Sequence, residues 1–164
     1  MYARSMRVLG VDLGERRIGL AISDATATLA RPLKTIALGT SDANAVDVLR
    51  ATITELSHDE PVGSIVVGLP MRLDGTATPQ TLRARKLAAL LAAQLSVPVF
   101  MQDERLSSHE AEERLALREK DWRRRKKMLD AAAAAVILQD YLDARSLSGQ
   151  RAEGREQTRE ESGE

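Results

Sequence analysis

Three stretches of the chain put carboxylates where they are costly or useful. Asp12 interrupts the apolar run Val8-Leu9-Gly10-Val11-Asp12-Leu13, and a charge in mid-strand is expensive unless it is paired or metal-bound. Asp103-Glu104-Arg105 follows the apolar run Val97–Gln102, and ligand sites of open α/β sheets collect just past the carboxyl ends of strands. Asp130 directly precedes five alanines, Ala131 to Ala135. Each has a plain reading as well: a rim carboxylate, an acid near a helix dipole, and a helix cap. Taken together they suggest more. Carboxylates from a first strand, a last strand and a final helix meet only if the fold gathers them, and a like-charged cluster survives by sharing divalent ions. The chain has no Cys and only His58 and His109, so the donors are hard oxygens, which select Mg²⁺ or Mn²⁺. Two such ions, typically ~3.5–4 Å apart, support in-line displacement at phosphorus.

Basic residues are concentrated near these acids in sequence. Arg114 to Lys127 holds eight basic side chains, among them Arg123, Arg124, Arg125, Lys126 and Lys127, against Glu119 and Asp121, a local charge of 8 − 2 = +6. A charge run of this kind is either a solvated face or a phosphate-binding surface. Arginine outnumbers lysine 19 to 5, and guanidinium groups fork phosphate oxygens. Arg16, in the first hairpin turn, and Arg105, beside Glu104, are further candidates for phosphate contact. Trp122 can stack on a base or pack against its own helix. The two histidines sit among polar residues and receive no role.

Positioning these residues requires a particular set of elements. Arg7–Leu13 and Arg17–Ser23 read as a hairpin, and alternation puts Asp12 on the side of Val8 and Gly10, opposite Leu9, Val11 and Leu13. Pro32–Leu38 supplies a third antiparallel strand. Thr40-Ser41 caps a helix with Val46, Leu49, Ile53 and Leu56 at helical spacing. Ser64–Leu69 is a strand buried on both faces. Thr78-Pro79 opens a second helix whose stripe is Leu82, Leu87, Leu90, Leu91 and Leu95. Val97–Gln102 is the last strand, Ser107–Leu117 a helix with a Ser107-x-x-Glu110 capping box, and Leu129–Leu142 a final helix after a basic break. If that helix starts earlier, at Lys126, Asp130 becomes an interior acid aimed at the sheet. The order predicts an α/β fold: a mixed sheet of three antiparallel strands followed by parallel ones, with helices on its faces.

Composition bounds the rest. At 164 residues with 43% apolar content, the chain is read as one domain with a real core. Its only aromatics are Tyr2, Phe100, Trp122 and Tyr141, so Leu, Val, Ile and Ala must build that core. Neither a membrane span nor a signal-peptide pattern is visible, and a cytoplasmic protein is expected. From Ser146 onward the sequence is charged and nearly devoid of apolar residues, so residues 146–164 are expected to be a disordered tail and 1–145 the folded domain. The formal charge is 24 − 24 = 0; without the tail's 3 Arg and 5 Glu it is 21 − 19 = +2.

The segment from Val11 to Asp24, VDLGERRIGLAISD, resembles the opening motif of the YqgF family. Val67-Gly68-Leu69-Pro70 with Asp74-Gly75, Asp103-Glu104-Arg105-Leu106-Ser107-Ser108, and Lys127 through Asp130-Ala131-Ala132-Ala133 to Leu142 resemble its later blocks. These are RNase H-like proteins described as pre-16S rRNA nucleases or Holliday-junction resolvases. The resemblance spans about residues 7–143 and implies an RNase H-like fold, with Asp12, Glu104 and Asp130 as the catalytic, metal-binding set and Asp103 as a neighbour. Where the family usually has two threonines this chain has Ser107-Ser108, which keeps the hydroxyls for a phosphate or a cap. Gly14 and Gly19 are expected to serve the hairpin through positive φ and close backbone approach.

Three classes of function follow. The first is a metal-dependent nuclease on structured RNA or branched DNA, with the 5′ end of pre-16S rRNA as the favoured substrate and Mg²⁺ or Mn²⁺, two ions, as cofactor. A homodimer would suit paired cuts in a junction. A second is a non-catalytic nucleic-acid module in ribosome assembly or transcription. The third, an actin-like ATPase, needs two such domains and is set aside.

Overall fold

A computed structural model describes residues 6–39, 42–104 and 120–160. Five strands form one sheet: β1 (Arg7–Leu13), β2 (Arg17–Ser23), β3 (Ala30–Ala37), β4 (Val62–Leu69) and β5 (Val99–Asp103). Among the described residues three helices flank it: α1 (Asp42–Leu56), α2 (Pro79–Gln94) and α3 (Trp122–Glu160). The strand order is β3-β2-β1-β4-β5. The pairs β1–β2 and β2–β3 are antiparallel, and β1–β4 and β4–β5 are parallel. This is the expected mixed sheet.

The two sheet faces differ in kind. On one, Leu9, Val11, Leu13, Ile18, Leu20, Ile22, Ile65 and Val67 pack against Ala45, Val46 and Leu49 of α1 and Ala84, Leu87 and Leu91 of α2. This is the large-residue core. On the other, Val8, Ala21 and Val66 meet Ala134, Ile137, Leu138 and Leu142 of α3. Ala21 and Ala134 keep part of that interface thin, and glycines bring the helix closer still. A Cβ on Gly10 would come within 2.9 Å of Leu138 Cβ and 3.1 Å of the Ala134 carbonyl oxygen. One on Gly19 would overlap the Asp130 carbonyl group. α3 therefore lies almost on the backbone of β1 and β2. Gln139 anchors it further, accepting from Ala30 N at 2.9 Å and donating to the Thr28 carbonyl at 3.0 Å.

Local chemistry explains the element boundaries. Thr78 caps α2 reciprocally with Thr81, and Pro79 occupies the first turn, where its missing N–H costs nothing. Pro32 is accommodated because β3 is an edge strand and its register with β2 shifts between Leu20 and Ala21.

Several readings are corrected. Leu82 is exposed, and the buried line of α2 is Thr81, Ala84, Leu87, Ala88 and Leu91. Positive φ is confined, among described glycines, to Gly75, so Gly14 and Gly19 serve through close approach alone. Residues 122–127 form the first turns of α3 rather than a break before it. The helical backbone of α3 runs on to Glu160. The Ser107–Leu117 helix lies outside the described residues.

Gly19→Ala is expected to lower the melting temperature by roughly 5–10 °C, because the new methyl meets backbone that cannot turn away. Gly39→Ala, whose methyl would meet only the amide end of exposed Asn44, should shift it little. Equal shifts in a thermal melt of the two variants would contradict the close packing of α3.

Candidate active site

The glycine pattern determines where the acids stand. Asp12, near the end of β1, pairs with Gly19 of β2. On its other side β4 runs parallel, with Val11 opposite Val67, so Gly68 is next along. Asp12 is thus flanked across the sheet by two residues without side chains. Over Gly19 lies the backbone of Asp130, eight residues into α3 from Trp122. Over Gly68 lies the Glu104 carboxylate: a Cβ on Gly68 would overlap Glu104 Oε2 and stand 2.8 Å from Ile137 Cδ1. Glu104 is held there by its backbone N–H, which donates to the Leu69 carbonyl at 3.2 Å. Asp130 is therefore an interior helical acid on the sheet side, not a cap.

The three carboxylates meet around Asp12. Its pKa is raised to about 6, first by burial and then by the charge of Asp130; a hydrogen bond with Glu104 opposes the rise. Glu104 is raised to about 8, by burial, by the charge of Asp12, by that hydrogen bond, and by Asp103. At neutral pH Glu104 therefore keeps a proton and donates it to the Asp12 carboxylate. Asp130 contacts Arg17, whose Nε lies 3.2 Å from Oδ2. That Oδ2 is nonetheless buried without a hydrogen-bond partner. Among the described residues no three acidic or histidine side chains stand close enough to hold one ion together. The arrangement is two pairs with Asp12 common to both.

The donor set fits divalent metal. A shared proton between Asp12 and Glu104 and an unsatisfied, buried oxygen on Asp130 are what a hard cation would relieve. All donors are oxygens, as Mg²⁺ or Mn²⁺ prefers.

The surrounding turn is fastened from two sides. Gly14 N donates to the Arg17 carbonyl at 2.8 Å. Arg83 of α2 donates to the Gly14 carbonyl at 2.5 Å, and Gln80 to Glu15 at 3.1 Å. Arg16 is exposed at this turn. Arg124 is exposed on the first turns of α3, where Arg123, Arg125, Lys126 and Lys127 lie along the backbone. Arg105, Ser107 and Ser108 fall outside the described residues. Arg17, Gly68 and Arg83 went unread in the sequence. Only Gly68, a glycine inside a fully buried strand, carried a signal. A groove of about 770 Å³ opens elsewhere, between Met6, Ser64, Phe100 and Leu142, and includes none of Asp12, Glu104 and Asp130.

Residues 6–144 match the family model described as RuvX, Holliday junction resolvase. The chain belongs to this family. It is 48% identical over 141 residues to an Anaeromyxobacter dehalogenans (strain 2CP-1) protein named "Putative pre-16S rRNA nuclease", covering 86% of this chain and 99% of that one. A Geobacillus kaustophilus protein of the same name is 41% identical over 141 residues, covering 85% and 99%. Among solved structures, Thermus thermophilus RuvC superposes with a TM-score of 0.50 at 21% identity, covering 86% of this chain and 96% of that one. That likeness is one of fold, and the RuvX-family chain shares the RNase H-like architecture implied by its motifs. No described helix is long and apolar enough to cross a membrane.

Both raised pKa values make the folded RuvX-family protein bind protons more tightly than the unfolded chain. Their contribution to stability is full below about pH 4, the usual carboxylate range, and is lost as pH climbs through about 6 and about 8. In EDTA, the melting temperature should therefore fall between pH 5 and pH 9. Glu104→Gln should remove most of that slope and raise the melting temperature at pH 9 by roughly 5 °C. A slope unchanged by the substitution would disprove the shared proton.

Proposed function

We propose that this protein is a divalent-metal-dependent nuclease that hydrolyses phosphodiester bonds in structured nucleic acid, with the 5′ end of pre-16S rRNA as its substrate. The observation that carries the reading is the gathering of Asp12, Glu104 and Asp130 around one point of the sheet. The names of the relatives at 48% and 41% identity support the choice of RNA. The description of the family model favours a second substrate, a four-way DNA junction.

Asp12, Glu104 and Asp130 would hold Mg²⁺ or Mn²⁺, and the two-pair arrangement about Asp12 suits two ions. When bound, such ions supply a water nucleophile at neutral pH and charge stabilisation at the leaving oxygen. Asp12 is the residue best placed to serve both, since it interacts with each of the other acids. Glu104 must give up its proton as metal enters, so occupancy rises with pH. Arg16, Arg105, Ser107, Ser108, Arg123, Arg124, Arg125, Lys126 and Lys127 would bind the nucleic-acid backbone, fixing its register without reading sequence. A homodimer would align two such sites for paired cuts in a junction.

Residues 1–145 are proposed as the nuclease unit, in the cytoplasm, with 146–164 as an appendage. The helical backbone to Glu160 carries only Leu147 and Ala152 as apolar residues beyond Arg145, too few to bury against anything.

Purified protein should cleave a pre-16S transcript with Mg²⁺ or Mn²⁺ and stop in EDTA. Asp12→Asn, Glu104→Gln and Asp130→Asn should each reduce the rate by roughly 10²-fold or more, while RNA affinity stays within a few-fold. Faster cleavage of a four-way junction than of the transcript would transfer the activity to DNA. Intact RNA binding with no cleavage under any metal would leave a binding module instead.

A further inference from the structure

Arg17 opens β2 and pairs with Ala37, two positions from the Gly19–Thr35 pair. Side chains two apart on a strand share a face, so Arg17 projects on the side where α3 and Asp12 lie. Its Nε stands 3.2 Å from Asp130 Oδ2, with the arginine half-exposed and the aspartate largely covered. The contact lacks hydrogen-bond geometry: Oδ2 remains without a hydrogen-bond partner although it is buried. The guanidinium thus neutralises Asp130 without saturating the oxygen it faces.

We propose that Arg17 is a positioning residue that stands in for metal at Asp130 and is displaced from that oxygen when a divalent ion binds. A buried carboxylate with neither metal nor counter-ion would be penalised by desolvation, and this ion pair carries the acid through the metal-free state. Because the arginine is half-exposed and the contact badly aligned, the pair is weak, and a divalent ion can replace it. Ion and guanidinium compete for one oxygen. Metal entry then frees a cation beside the acids, at the mouth of the site. The inference rests on the metal-dependent reading above and deepens it.

The test is Mn²⁺ affinity by isothermal titration calorimetry on the full chain, with no nucleic acid present. Arg17→Gln is expected to bind Mn²⁺ about three- to fivefold more tightly than wild type, the range that removal of a half-exposed ion pair allows. Arg17→Lys, which keeps the charge, should stay closer to wild type. Arg31→Gln makes the same change in net charge at an exposed arginine of β3 and should leave the affinity unaltered. Unchanged or weaker binding in Arg17→Gln, or equal tightening in Arg31→Gln, would overturn the competition while leaving the metal site intact. If wild type and Arg17→Gln both give no Mn²⁺ heat, the metal-dependent reading itself fails and takes this inference with it.

Discussion

The distance between α3 and the sheet is the constraint on which the site depends. A helix packed on a sheet through ordinary side chains would hold its backbone too far away for an aspartate to reach the end of a neighbouring strand. Gly10 and Gly19 remove that spacing on β1 and β2, and Ala134 keeps it small on the helix. Asp130 is brought down onto the sheet by its own backbone, not by a long side chain. Gly68 does the corresponding work on the opposite flank, where a methyl would occupy the space of the Glu104 carboxylate. Asp12 sits between two gaps in the side-chain layer, and each gap is filled by another acid.

That arrangement is unfavourable on its own. Three acids share a partly buried site, and the upward pKa shifts of Asp12 and Glu104 reflect the penalty of ionising them together. Stability must come from elsewhere, and the opposite face provides it: Leu9, Val11, Ile18, Leu20, Leu49, Ile65, Leu87 and Leu91 are all fully buried there. The sheet divides the labour. One face carries large apolar side chains and α1 with α2, while the other sacrifices packing volume to bring charge together. Strain or repulsion at a site, offset by a conventional core, is the usual compromise of functional structure.

Much of this was legible in the sequence, for reasons that differ by residue. Alternation alone gave Asp12 its face, because β1 pairs on both sides and the period of a strand is strict. The β4 run and the Thr78-Pro79 start of α2 were equally plain. Asp130 was ambiguous, because a residue before five alanines looks like a cap. Only the start of α3 at Trp122 makes it interior, and that basic stretch has no apolar period to announce a helix. Leu82 was misread since a leucine at helical spacing need not face the core when Thr81 and Ala84 fill the line instead. Arg17 left no local trace: its partner is 113 positions away, and its neighbour Arg16 offers the same charge. Such pairings belong to the fold, not to the pattern.

The zero net charge of the chain carries one further consequence. Without cations, the acid cluster would repel a phosphodiester at the place where the proposed chemistry occurs. Basic residues on the first turns of α3 would, on the proposed reading, draw a nucleic-acid backbone toward the protein but would not by themselves bring a phosphate up to Asp12. On the proposed reading, two divalent ions would add about +4 at that point and reverse the local sign. The order of assembly then follows from electrostatics: cation before phosphate. An arginine already seated against Asp130 is consistent with the same logic, since it keeps a positive charge at the cluster before any metal arrives. Neutrality of the whole chain therefore says little about the local sign at the acid cluster, which on the proposed reading bound cations would reverse.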